Sequence, residues 1–152
     1  MKLFISILIC QCAGIVGAFF TRQSISEWYL YIRKPSFNPP DWIFSPVWIM
    51  LYTLMGIAAY LVWRKGFHSG GVKTALGLFL IQLAFNSLWP IVFFGGRSIL
   101  GGMVVIVFLW LTILQTMRAF FPLSRPAGYL LVPYIIWVSF ALVLNLAFLV
   151  LN

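Results

Sequence analysis

The side chains best suited to chemistry in this 152-residue chain are aromatic rings and amides set at helical spacing. Trp48, Tyr52 and Ala59 fall at i, i+4 and i+11 of one apolar run, on one face of a helix. Gln82, Asn86, Trp89 and Phe93 form a second such face, with Pro90 and Phe94 flanking it. Trp137, Ala141, Leu144 and Asn145 line a third, which Tyr134 extends. An amide in hydrocarbon costs free energy unless it finds a partner, so Gln82, Asn86 and Asn145 should turn inward, alongside the large rings. Stripes of this make-up would line an apolar pocket with a few polar groups, the usual composition of a small-molecule site. Indole and phenol rings offer flat, rigid walls to a planar ligand. The competing reading is helix packing alone, and Trp42, Trp63 and Trp110 suit interface anchors.

Other chemistries lack their residues. No Asp, Glu, Lys or Arg lies deep within an apolar run, as an ion-coupled pump or transporter would need. No nucleophile triad, HExxH, P-loop or dinucleotide fingerprint occurs. Cys10 and Cys12 sit at i,i+2, on different sides of a helix, and neither has metal-ligand spacing to His68, the lone histidine. No metal site and no built-in cofactor are expected. The net charge of +8 comes from bases at the ends of apolar runs, where they meet lipid headgroups. No basic stripe with interleaved aromatics lies outside those runs, so nucleic acid is not an expected partner.

These faces need elements to carry them. The chain is 63% hydrophobic and 8% charged, with a mean hydropathy of +1.05, so lipid must solvate most of it. Apolar segments near 3–21, 43–63, 72–94, 98–120 and 127–151 are each long enough to span a bilayer. The expected fold is all-α: one membrane domain over 1–152, a bundle of five transmembrane helices. Residues up to Thr21 resemble a secretory signal, but the apolar part is too long and lacks a small-x-small cleavage site, which favours a first span. Gly14/Ala18 and Gly71/Ala75 are small-xxx-small pairs that permit close helix approach and homodimerisation, or packing within one chain.

The first loop, 22–41, is too long for a simple connection and holds both acids, Glu27 and Asp41. Ser26-Glu27-Trp28-Tyr29-Leu30-Tyr31 is amphipathic and predicts a short interfacial helix. Lys34 to Trp42 is dense in proline and should be stiff and extended. A stiff aromatic loop beside a small bundle predicts a lid over one end. Lys2, Arg64, Lys65, Lys73, Arg118 and Arg125 share one side, against Arg22, Arg33, Lys34 and Arg97 on the other; six against four favours a cytoplasmic N-terminus.

Several motifs in order carry a resemblance over nearly the whole chain. They are Trp28-Tyr29, Lys34-Pro35-Ser36-Phe37-Asn38-Pro39-Pro40, Pro46-Val47-Trp48-Ile49-Met50-Leu51-Tyr52 and Gly56 to Trp63. Further on come Gln82 to Pro90, Phe93-Phe94-Gly95 and Pro133 to Trp137, with Phe140-Ala141 and Leu144-Asn145. With these the chain resembles the TspO/MBR family of membrane proteins. The resemblance implies a five-helix bundle, often dimeric, with a pocket closed by the first loop. It implies porphyrins such as protoporphyrin IX, benzodiazepine- and isoquinoline-type compounds and, in animals, cholesterol as ligands. It maps the family's pocket residues to Trp48, Tyr52, Asn86, Trp89, Trp137 and Ala141, and its loop tryptophan to Phe37, where stacking survives without the indole N–H.

The same resemblance leaves three activities open. A receptor or sensor would hold a porphyrin or related planar ligand. An enzyme would degrade protoporphyrin IX, with Trp48 and Trp137 as the catalytic residues. A transporter would move porphyrin or lipid between leaflets. Val105 stands where many members carry an acid. The family's C-terminal sterol pattern needs a tyrosine and a following base; Leu146 stands there and no base follows, which argues against sterol binding through that motif. Leu54, Tyr60 and Arg64 match only the loose sterol pattern. These departures fit a prokaryotic, multi-pass cell-membrane protein.

Overall fold

The computed structural model describes all 152 residues, and every regular element is helical. Without water in the bilayer core a chain must bond its own backbone, and helices do so locally. The elements are α1 (Lys2–Ser24), π1 (Ile25–Tyr29), α2 (Asp41–Trp63), α3 (Val72–Pro90), π2 (Ile91–Gly95), α4 (Ile99–Leu123), α5 (Arg125–Leu130) and α6 (Val132–Leu151). They make five continuous apolar stretches, the shortest of 23 residues. At 1.5 Å per residue that is roughly 35 Å, enough for the hydrocarbon layer. Phe4 and Phe19, Leu80 and Ile81, Phe108 and Leu111, Ile136 and Val150 all face outward. An apolar surface on every side of such a bundle belongs in lipid, and the protein is an integral multi-pass membrane protein.

The core fills the interior between the helices. Met55, Ala58 and Val62 of α2 meet Ala75 and Phe79 of α3, Ile113 and Phe120 of α4, and Ala127 of α5. Small residues let backbones close up: a Cβ on Gly56 would stand 2.5 Å from the Cα of Ile7. α1 packs on α2 and α3, while α4 joins α3 to α5 and α6.

Three expectations about local structure need correction. Residues Ser26 to Tyr31 form no separate interfacial helix. With no proline or glycine between Arg22 and Tyr31, the helix of α1 runs on as the wider turn π1, and Tyr29 is buried against Phe94 (5.5 Å) and Phe148 (5.9 Å). The proline-dense stretch is not extended throughout, because a turn closes where Asn38 N–H donates to the Pro35 carbonyl at 3.1 Å. The last span is two helices. Pro133 has no N–H for the Tyr129 carbonyl, so the chain turns at Leu131 and restarts. Pro90 acts in the same way on Asn86, and the backbone after it relaxes into π2.

The first loop is fastened at several points. Arg33 N–H donates to Asn152 Oδ1 at 2.9 Å, and Asn152 Nδ2 donates to the Arg33 carbonyl at 2.9 Å. Lys34 Nζ stands 4.4 Å from the centre of the Tyr29 ring, a cation–π contact. The Tyr29 hydroxyl donates to Asn38 Oδ1 at 3.3 Å. Arg97, after the Gly95-Gly96 pair, takes φ +50°, and its guanidinium donates to Glu27 at 2.6 Å, tying the two π turns together.

Candidate functional site: an aromatic cavity

A cavity of about 600 Å³ opens between α1, α2, α3, π2 and α6. Trp48 and Tyr52 supply the α2 wall, Asn86 and Trp89 the α3 wall, Phe93 the π2 end, and Trp137 with Ala141 the α6 wall. The rings brace one another. Trp48 stacks on Tyr52 at 5.5 Å and 29°, and Trp89 on Phe93 at 4.9 Å and 21°. Phe44 meets Trp137 edge to face at 5.9 Å. Trp89 Nε1 donates to Asn145 Oδ1 at 3.1 Å, which fixes the indole plane.

A chain of hydrogen bonds leads from the wall into the core. The Tyr52 hydroxyl donates to Asn86 Oδ1 at 2.5 Å, Asn86 Nδ2 donates to the Tyr134 hydroxyl at 2.7 Å, and that hydroxyl donates to Gln82 Oε1 at 2.8 Å. All four residues are buried. The network therefore sets the position of the groups the cavity presents, as buried polar networks do when their members are bonded. Gln82 Nε2 ends the chain without a partner. The Trp137 indole N–H is also buried and unpartnered.

Nine residues were expected at a ligand site, and seven meet here: Trp48, Tyr52, Asn86, Trp89, Phe93, Trp137 and Ala141. Tyr134 does not line the cavity; it is fully buried behind Tyr52 and Asn86. Phe37 does not reach it either. That ring is half exposed and meets Phe140 edge-on at 6.4 Å. Ala59, on the same face as Trp48 and Tyr52, lies in the core.

Sequence reasoning passed over the wall that α1 supplies. Gln11, Gly14, Gly17, Ala18, Thr21 and Arg22 all line the cavity. Gly14, Gly17, Ala18 and Thr21 fall at i, i+3, i+4 and i+7, which is one helix face, and that spacing was the available signal. A Cβ on Gly14 would run into the Tyr52 ring, and one on Gly17 would stand 2.7 Å from Pro90 Cγ, so the glycines make room for the far wall. Gln11 Nε2 donates to the Ile49 carbonyl at 3.1 Å and to Thr53 Oγ1 at 3.0 Å, closing the gap between α1 and α2. Such an enclosure offers apolar contact, ring stacking and a few hydrogen bonds to a flat molecule.

Comparison with known proteins shows the family of the chain. The model of the TspO/MBR family matches residues 6–151. The "Tryptophan-rich protein TspO" of Chlorobaculum tepidum is 45% identical over 152 residues, covering 100% of this chain and 96% of that one. The protein of the same name from Archaeoglobus fulgidus is 41% identical, covering 100% and 97%. The "Translocator protein" of Homo sapiens is 39% identical over 132 residues, 86% of this chain and 78% of its own. A match over almost the full length, together with five spans around an aromatic interior, means that this chain belongs to the TspO/MBR family.

Proposed function

We propose that this chain is a membrane receptor or sensor that takes porphyrins and other planar apolar compounds, benzodiazepine- and isoquinoline-type ones included, into the cavity. The observation that carries this reading is the placing of three indoles, Trp48, Trp89 and Trp137, around a space of about 600 Å³, within the usual size range of ligand pockets. Stacking on the indoles would hold the ring system, and Asn86 and Tyr52 would supply the polar contacts. The first loop, pinned by Asn152 and Tyr29, would retain the ligand from one end. The resident membrane would be a prokaryotic cell membrane with the N-terminus cytoplasmic, and the unit would be a homodimer. Titration of purified protein in detergent with protoporphyrin IX, read by tryptophan quenching corrected for inner-filter effects, tests this. Trp48→Ala with Trp137→Ala should weaken binding at least tenfold, about 1.4 kcal/mol. Unchanged affinity would remove this cavity as the site.

A second reading, an enzyme that consumes protoporphyrin IX in light, draws on one observation: the Trp137 indole N–H has no partner, whereas that of Trp89 is tied to Asn145. A free indole could give an electron and its N–H proton to the light-excited porphyrin, which is reduced while the indole becomes a neutral tryptophanyl radical; dioxygen would be the oxidant that carries the reduced ring on to product. Trp137→Phe should then keep binding and lose light-dependent conversion. Conversion no faster than bleaching of the free dye would dismiss the enzyme.

A further inference from the structure

The two charged residues that line the cavity stand along one edge. Arg22 at the end of α1, and Asp41 and Ser45 at the start of α2, line it and are also exposed, so they form its rim. Ile15 and Ile49, which line it and are exposed as well, continue that rim as an apolar lip between the same two helices. Arg22 and Asp41 carry full and opposite charges, and neither is paired: the chain's one ion pair joins Arg97 to Glu27. Asp41, in the first turn of α2, suits that helix's dipole, whereas Arg22 lies about two turns before the helix ends at Tyr29. Helix-end electrostatics does not explain why both open onto one cavity walled by indoles.

A guanidinium is a planar fork that meets a carboxylate through two parallel N–H···O bonds, and it holds its charge at any working pH. A ligand that is apolar across its face and acidic at one margin matches this edge. The rings would lie among the tryptophans, and the acid would stay at the rim, where water and headgroups keep it solvated. We propose that Arg22 is a specificity-determining residue, which selects planar ligands bearing a carboxylate and orients them with that carboxylate at the α1–α2 rim. Asp41, on the same rim, works in the opposite sense by repelling the acid and so confining it to the Arg22 side. This rests on the cavity being a planar-ligand site, and it adds what chemistry the ligand's edge must have and which way round it sits.

The test uses two probes with one ring system: protoporphyrin IX, with free carboxylates, and its dimethyl ester, without charge. The full chain is titrated in an uncharged maltoside detergent, and each variant is compared with wild type for the same probe, so that detergent partitioning cancels. Arg22→Gln should weaken the acid by about fivefold and leave the ester unchanged, while Asp41→Asn should tighten the acid by about twofold, again without moving the ester. Arg22→Lys should recover part of the loss, since charge returns without the fork. Equal weakening of acid and ester by Arg22→Gln would mean that Arg22 only shapes the cavity, and would overturn the proposal. So would an unchanged affinity for the acid. In both of those cases wild-type binding stands and the planar-ligand reading survives. Wild type that saturates with neither probe would overturn the porphyrin reading and the proposal together.

Discussion

Tyr52 donates its hydroxyl hydrogen to Asn86 at 2.5 Å while its ring occupies the space that a side chain at Gly14 would need. One residue of α2 thus joins α3 through its tip and α1 through its flank. The stack on Trp48 holds the ring from a third direction, so it has little room to yield. Gly14→Ala should therefore overpack this point, at a cost of about 1–3 kcal/mol, and weaken ligand binding as the Tyr52 ring is pushed into the cavity. Gly77→Ala is the matched control, because a Cβ there meets nothing within 4 Å. In a helix interior that change should be neutral or stabilising by up to about 1 kcal/mol. Thermal unfolding of both variants in one detergent decides the matter. Equal melting temperatures would show that the ring is free to move.

The hydrogen-bond chain behind the cavity predicts coupled losses. Asn86→Ala strips the acceptor from Tyr52 and one donor from Tyr134, and should cost about 1–3 kcal/mol. Tyr134→Phe leaves Gln82 with neither amide atom bonded, because Nε2 already lacks a partner, and should cost a similar amount. The double variant should lose less than the sum, by about 0.5–3 kcal/mol, since the two groups share one network. Strict additivity in chemical denaturation would mean that the chain does not act as a unit.

Much of this site could be read from spacing, and the reasons are local. In hydrocarbon the helix is nearly the only available backbone, so the apolar runs carry a period of 3.6 residues, and Trp48 with Tyr52, or Asn86 with Trp89 and Phe93, fall on common faces. Tyr134 shows where that method is too coarse. By angle it falls between Ala141 and Asn145, which both line the cavity, but Asn86, which Tyr52 also bonds, stands in front of its phenol, and a helical wheel does not show what another helix interposes. The α1 wall was overlooked for a different reason: Gly14, Gly17 and Ala18 contribute space, and missing side chains leave no mark in a hydropathy profile. Phe37 sits in a loop with no period to exploit, and only tertiary contacts place it on Phe140.

The fastening of the first loop bears on rates more than on stability. Asn152→Ala removes both bonds to the Arg33 backbone, but those groups are exposed and return to water, so the melting temperature should change little. If the loop retains the ligand, dissociation should become faster by about threefold, the equivalent of one weak hydrogen bond. Competition with excess unlabelled ligand, followed in time, measures this. An unchanged rate alongside unchanged stability would leave the loop without a retaining role.

Asn145 should matter more than the indole it orients. Its Oδ1 accepts from Trp89 at 3.1 Å and its Nδ2 donates to the Ile99 carbonyl at 3.1 Å, so one buried amide ties α6 both to the cavity wall and to the start of α4. Trp89→Phe keeps a ring on Phe93 and removes a single bond, leaving Asn145 one donor short, for about 1 kcal/mol. Asn145→Ala breaks both ties, leaves the Trp89 N–H unpaired and frees that indole to tilt, for roughly 2–4 kcal/mol. Affinity for a planar ligand should follow the same order, because a tilted indole obstructs stacking while a smaller ring in the right plane does not. Unfolding and titration of the two variants side by side would settle it. A larger loss of affinity in Trp89→Phe than in Asn145→Ala would mean that the indole N–H itself contacts the ligand, and that its bond to Asn145 opens when the ligand enters.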